Sequence, residues 1–331
     1  MSMTELFEIY TDAVPDFIAD AAETDVLQRL KNVGMNCGCE YTSFPRFVRL
    51  EKYSRFDHSL GVALIVWHFT RDRAQSLAGF LHDVSTPAFA HVIDFLRSDH
   101  MTQEATEDGT EALIAHSAQL QRLLRESGLC TADVSDYHRY PVADNDAPKL
   151  SADRLEYSFG NMLNYGIRSI DEVREYYRDL VLTENEDGET EIAFRSLDAA
   201  VGFAEAALEC SKVYVSDEDR YAMQALAELV GSAVKDGVLS EVDLYKTEPE
   251  VIEKLCADET YAQRWSVFCS MSKTAVSDTD MGGEWRRIFA KKRCIDPLVA
   301  GLGRVSELDG SFGKALEDFR AQTQDYWVKG Y

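Results

Sequence analysis

Two apolar runs, SLGVALIVWHF over residues 59–69 and AQSLAGFL over residues 74–81, lie only four residues apart. Both are too uniformly apolar for a solvated surface, and both are shorter than the roughly 18 to 20 apolar residues that a membrane span needs. They therefore read as two adjacent buried helices, and such a pair fixes a helical core around itself. What makes the pair informative is where its polar residues stand. His58 is at the start of the first helix, and His82 and Asp83 are at the end of the second. Helix ends are where polar side chains can converge without disturbing an apolar middle.

Imidazole nitrogen and carboxylate oxygen together suit a divalent metal ion. Three donors are too few, and KLSADRLEYSFGNML offers a fourth in Asp153, which is polar within a half-apolar helix. The bland alternative for these residues is a buried, hydrogen-bonded polar cluster.

The rest of the chain reads mostly helical. TDVLQRLKNVGM sets Val26, Leu27 and Leu30 on one face and should stop near Gly34. TEALIAHSAQLQRLLRES reads as one helix ending at Gly128, and TEPEVIEKLCAD opens on Thr247 as an N-cap. Near residues 178–195, YRDLVLTENEDGETEIAFRS has two short strand-like runs around Asp187-Gly188, the signal of a small β-hairpin insertion. Residues 130–149 are polar, hold two prolines and read as a loop. The expected architecture is all-α, a helical bundle with that one hairpin. Residues 1–200 would form a metal-binding core with the hairpin, and residues 201–331 a helical C-terminal lobe packed on it as one continuous unit.

Charge narrows the function. With 58 acidic against 34 basic residues the formal charge is −24, a field that repels nucleic acid over most of the surface. The exception is EWRRIFAKKRCIDP, with Arg286, Arg287, Lys291, Lys292 and Arg293. It reads either as a solvated helix face or as a phosphate-binding patch, possible at a subunit interface. The seven cysteines are scattered, with no C-x-x-C spacing, as expected of reduced thiols in the cytoplasm. Cys37 and Cys39 flank a turn glycine and read as packing residues. The N-terminal residues show no basic stretch followed by an apolar one, so no signal peptide is expected.

The ordered set Arg55-Phe56-x-His58-Ser59-Leu60-Gly61-Val62, Leu81-His82-Asp83, Phe89-x-His91 and Asp153-Arg154-x-x-Tyr157 resembles the HD-domain metal-dependent phosphohydrolases. Within that superfamily the deoxynucleoside triphosphate triphosphohydrolase branch is nearest. The resemblance covers roughly residues 25 to 165 and continues weakly through GVLSEVDLYKTEPEVIEKL. It implies an HD-like helical fold and a divalent cofactor (Mn, Fe, Ni, Zn, Co or Mg) held by His58, His82, Asp83 and Asp153. It implies substrate contacts from Arg55, Arg154 and Tyr157, and acid–base or supporting roles for His91, Asp94 and His100. The partner it implies is a small phosphorylated molecule, a nucleotide above all, and relatives often form homo-oligomers. Two positions depart from the pattern. Thr86 stands where many triphosphohydrolases carry a second histidine, and Asn161 where some place an aspartate that reads the sugar hydroxyl. Threonine cannot shuttle a proton near neutral pH. A metal- and nucleotide-binding regulatory protein with little turnover is the alternative, and a helical interaction scaffold with a structural metal is a third reading.

Overall fold

The computed structural model describes residues 3–92 and 109–331. The chain is mostly helical with two small sheets. The two apolar runs form the helices Arg55–Thr70 and Arg73–Leu81, which lie against one another in an extensive apolar core. Ser54 begins the first by accepting from Asp57 N while Asp57 accepts from Ser54 N, a reciprocal cap. Asp72 begins the second by accepting from Ala74 N and Gln75 N. Helices Ala152–Asn164 and Leu197–Tyr214 complete this core. Among the described residues, no helix is long and apolar enough to cross a membrane.

A second core is built on Asp217–Lys235, Glu248–Ala257 and Glu259–Ser270, with Phe44, Phe47 and Phe89 packed into it. Thr247 caps its helix through its hydroxyl and backbone N–H, both donating to Glu250. Cys37 and Cys39 are buried in this core, and burial pushes the Cys37 thiol up to about 12. Residue 200 falls inside the Leu197–Tyr214 helix, and residues beyond it contribute to both cores.

The chain is mostly helical, as expected, but it carries more strand than the single hairpin expected near residues 178–195. Strands β1 (Leu180–Glu184) and β2 (Thr190–Phe194) pair antiparallel around Gly188 at φ +77°. Their sheet continues, because β2 pairs in parallel with β5 (Leu298–Val299) and β5 with β6 (Gly303–Arg304). In the second sheet β7 (Trp327–Gly330) lies between β3 (Thr274–Ser277) and β4 (Arg286–Arg287). The region expected to be a helical lobe thus holds five of the seven strands among the described residues. These strands are two to four residues long, and apart from the β5–β6 pairing they join distant segments, so no local periodicity announces them. The EWRRIFAKKRCIDP run is not a helix either; pairing with β7 takes Arg286 and Arg287 into the sheet. Two helices are also shorter than expected. Asp25–Leu30 ends before Gly34, and Ser117 splits the 110–126 segment by capping a new helix at Ala118.

The link between the cores is a turn after His82-Asp83. Arg29 donates from Nη2 to Val84 O at 3.0 Å and to Thr86 O at 2.7 Å. Beyond it Phe89 and Ala90 both take left-handed φ values, +61° and +49°, a strained pair for residues with side chains. Leu244 O holds Ala88 N at 2.7 Å, and Glu248 Oε1 accepts from Phe89 N and Gly34 N. A Cβ on Gly34 would meet Glu40 Oε1 at 2.1 Å, so a larger residue here would displace the Glu40 carboxyl. Glu40 Oε2 is enclosed without a hydrogen-bond partner, and burial, reinforced by the Glu248 carboxylate, pushes Glu40 up to about 8. A carboxyl raised in this way favours the folded state below its ordinary value, and that contribution is lost as pH rises through about 8. Thermal stability should therefore fall between about pH 5 and about pH 9, and Glu40→Gln should flatten the fall, as read by melting curves across that range. An unchanged slope in the variant would assign the dependence to other groups.

Candidate metal centre

Four side chains from three helix ends converge. His58 Nε2 lies 2.9 Å from Asp153 Oδ1, and His82 Nε2 lies 3.8 Å from the same oxygen and 3.5 Å from Asp83 Oδ2. One ligating atom from each of His58, His82 and Asp83 falls within 4.8 Å of the others. The imidazole planes stand at 80° with centroids 5.2 Å apart. All four residues line a cleft of about 870 Å³.

The surroundings fix these donors. Nδ1 of His58 donates to Glu156 Oε2 at 2.6 Å, and Nδ1 of His82 donates to Gly79 O at 2.8 Å. With each Nδ1 committed, each Nε2 turns to the centre, which is how ligating histidines are oriented. Asp83 is held at both oxygens, with Thr86 Oγ1 donating to Oδ1 at 2.7 Å and Arg55 Nη1 to Oδ2 at 3.0 Å. Burial alone would raise the Asp83 carboxyl, but Arg55, His82, His58 and the Thr86 hydroxyl outweigh it and hold it well below the usual carboxylate range. Burial alone would lower His58, yet its bonds to Asp153 and Glu156 push it up to about 10. An environment that stabilises positive charge so strongly suits a cation. Two neutral imidazoles with two carboxylates match the donor chemistry of a divalent ion. The residues present fit such an ion.

The remaining expected site residues divide. Arg55 lines the cleft, but its guanidinium faces Asp83, making it an orienting partner of that carboxylate. Arg154 also lines the cleft, but its charge is met by Asp144 at 2.5 Å, with further bonds to Ser151 Oγ and Asn145 O. Asp153, Tyr157 and Asn161 recur at four-residue intervals along one helix face and form a wall of the cleft. Asn161 Nδ2 donates to Tyr214 OH at 2.8 Å. His91 lines the cleft as well, with Nε2 3.4 Å from Arg293 Nη2. Asp94 and His100 lie outside the described residues. Thr86 is fully buried behind Asp83 and does not line the cleft.

Sequence reasoning missed Glu156, a fully buried carboxylate that also accepts from Tyr53 OH at 2.5 Å. Its signal was a charge on the apolar face of the Ala152–Asn164 helix, three residues after Asp153. His138 and Asp144, joined at 2.8 Å, also line the cleft.

No protein-family model matches the chain. It is 28% identical over 237 residues to the uncharacterized protein YdhJ of Bacillus subtilis, covering 70% of this chain and 69% of that one. It is 24% identical over 173 residues to the metal-dependent phosphohydrolase cns2 of Cordyceps militaris, covering 52% of this chain and 47% of that one. A solved phosphohydrolase structure from Bacteroides thetaiotaomicron superposes with a TM-score of 0.61 over 95% of both chains, at 13% identity. The chain shares that fold. The relatives and the His-His-Asp cluster together point to a divalent metal at this site.

Glu156 gives a direct test of the centre. Glu156→Gln should lower metal affinity by roughly 10- to 100-fold while the circular dichroism spectrum stays native, because the His58 ring loses its anionic anchor. Affinity is measured by competition with a chromophoric chelator, and an unchanged value would confine Glu156 to packing.

Proposed function

We propose that the chain is a metal-dependent phosphohydrolase of the HD superfamily, acting on a nucleotide or another small phosphate ester. The observation that carries the proposal is the convergence of two oriented imidazoles and two carboxylates in a cleft lined with charged side chains of both signs. The nearest branch is that of the deoxynucleoside triphosphate triphosphohydrolases, and the reduced state of all seven cysteines agrees with a cytoplasmic setting.

In this reading His58, His82, Asp83 and Asp153 hold the ion. A divalent ion so held supplies Lewis acidity toward a phosphoryl oxygen and lowers the pKa of water. The protein's own groups do the rest. Arg55 and Thr86 keep Asp83 aligned, and Glu156 keeps the His58 ring aligned. Arg154 and Tyr157, beside Asp153 on the cleft wall, contact the substrate. His91, on the cleft wall, gives a proton to the departing oxygen, a contribution of typically about 10²- to 10⁴-fold. Asp94 and His100 support that transfer.

Thr86 favours a second reading, a metal- and nucleotide-binding regulatory protein with little turnover. Its hydroxyl is committed to Asp83, and it brings no imidazole to the cleft. A screen of nucleotides and phosphate esters with Mn, Mg, Ni or Zn added separates the two readings. The wild type should carry about one divalent ion per chain and release phosphate or a phosphorylated product from at least one ester. Asp83→Ala should lose both the metal and the turnover. Tight nucleotide binding without hydrolysis of any ester would select the regulatory reading, and a metal content unchanged in Asp83→Ala would reject the proposed centre.

A further inference from the structure

The cleft reaches well beyond the metal centre. One wall follows the Ala152–Asn164 helix from Asp153 through Tyr157 and Asn161 to Tyr165, which ends the helix. Twelve residues at the helical rise carry this wall about 18 Å away from Asp153. The Tyr214 ring, also at the cleft, lies 6.5 Å from the Tyr157 ring and 6.5 Å from the Tyr165 ring. Asn161 Nδ2 donates to Tyr214 OH at 2.8 Å, and Tyr165 OH donates to Asn36 Oδ1 at 3.3 Å. Three tyrosines thus make one aromatic surface, fixed by hydrogen bonds. At about 870 Å³ the cleft has room along it for a whole organic group, far more than one phosphoryl group fills.

A carboxylate without a cation stands against that surface. Asp219, in the first turn of the Asp217–Lys235 helix, lines the cleft. It does not cap its helix, because Ser216 does, accepting from Asp219 N at 3.4 Å. Its neighbour Asp217 is committed to Arg220 at 2.7 Å and to Tyr326 OH at 3.0 Å. The Asp219 carboxylate has one weak donor among the described residues, Cys39 Sγ, 3.7 Å from Oδ2. Arg46 and Arg293 act on it only from beyond ion-pair distance, and burial outweighs them, pushing its carboxyl up to about 7. Other acids of the cleft are paired: Asp83 with Arg55, Asp144 with Arg154 and Glu189 with Lys149. Burial and then the Asp219 charge raise the Tyr165 hydroxyl, which sets Asp219 at the end of the wall remote from the metal centre. An enclosed acceptor of this kind is costly until donors meet it.

We propose that Asp219 selects the organic half of the substrate, accepting N–H donors from the edge of a nucleobase that lies along the tyrosine wall. A protonated amine is the rival donor, but Arg46 and Arg293 oppose a further positive charge there. A flat, neutral ring also matches the aromatic faces of Tyr157, Tyr165 and Tyr214. The inference rests on the phosphohydrolase reading of the cleft and deepens it. The substrate carries a base with N–H groups on its edge, as guanine does, and Asp219 reads them.

Nucleosides test this without turnover, since they carry no phosphate. The full chain as purified is titrated, by ligand-observed NMR, with guanosine and with purine riboside. The two share the ring system and the sugar, but purine riboside has no N–H donor on its base. The wild type should bind guanosine about tenfold or more tightly than purine riboside, the worth of hydrogen bonds to a charged group. Asp219→Ala should bring the two affinities to within about twofold by weakening guanosine alone. Asp219→Asn keeps the size of the side chain and removes its charge, so it should shrink the preference and keeps the test valid if Asp219→Ala folds poorly. Glu205→Ala, which removes one exposed negative charge outside the cleft, should leave the preference intact. Equal wild-type affinities, no detectable guanosine binding, or a preference unchanged in a folded Asp219 variant would overturn the assignment. None of these results touches the phosphohydrolase reading, which falls only if every ester in the substrate screen resists hydrolysis.

Discussion

The structure depends on a buried chain of polar contacts that joins two helices of the main core. Tyr53 OH meets Glu156, Glu156 meets His58, and His58 meets Asp153, all within 2.9 Å. A carboxylate with no exposed surface is costly unless both of its neighbours are present. The helices accommodate it through glycines at their closest approach. A Cβ at Gly61 would come within 2.5 Å of the Glu156 side chain, and one at Gly160 within 2.5 Å of the Tyr53 ring. The packing of the Arg55–Thr70 helix on the Ala152–Asn164 helix and the aim of the His58 ring are therefore one constraint. The fold cannot relax around Glu156 without turning a donor away from the centre.

The same economy recurs around Asp83. Thr86 and Arg55 hold its two oxygens, and Arg29 ties the turn on which it sits to the backbone at Val84 and Thr86. The loop that follows is strained at Phe89 and Ala90 and is clasped by Leu244 and Glu248 from the second core. That clasp ties Leu244 and Glu248 to the loop after Asp83, across more than 150 residues of chain. The loop carries His91 to the cleft wall.

Much of the site was legible because its donors obey local rules. His58 follows a capping serine by four residues, His82 and Asp83 end an apolar helix, and Asp153 begins a helix after Ser151. Helix termini expose themselves in sequence through caps and through the edge of an apolar run. Arg55 and Arg154 were visible as cations beside the candidate ligands, but whether each faced a carboxylate was not. That depended on Asp83 and Asp144 arriving from elsewhere in the chain.

By itself, the sequence determined the two buried helices, the polar residues at their ends, the turn at Asp187-Gly188 and the predominance of helix. Each of these follows from periodicity or from a residue's own backbone preference, which act over a few positions. The tertiary structure decided the two sheets, the shared anchoring of Glu156, and the fate of the basic run, half drawn into ion pairs and half set along the cleft. Those outcomes rest on pairings between residues far apart in the chain, such as Arg286 with Glu228 or Phe194 with Val299. Nothing in a local window carries such a pairing, because its energy exists only once the intervening chain has folded.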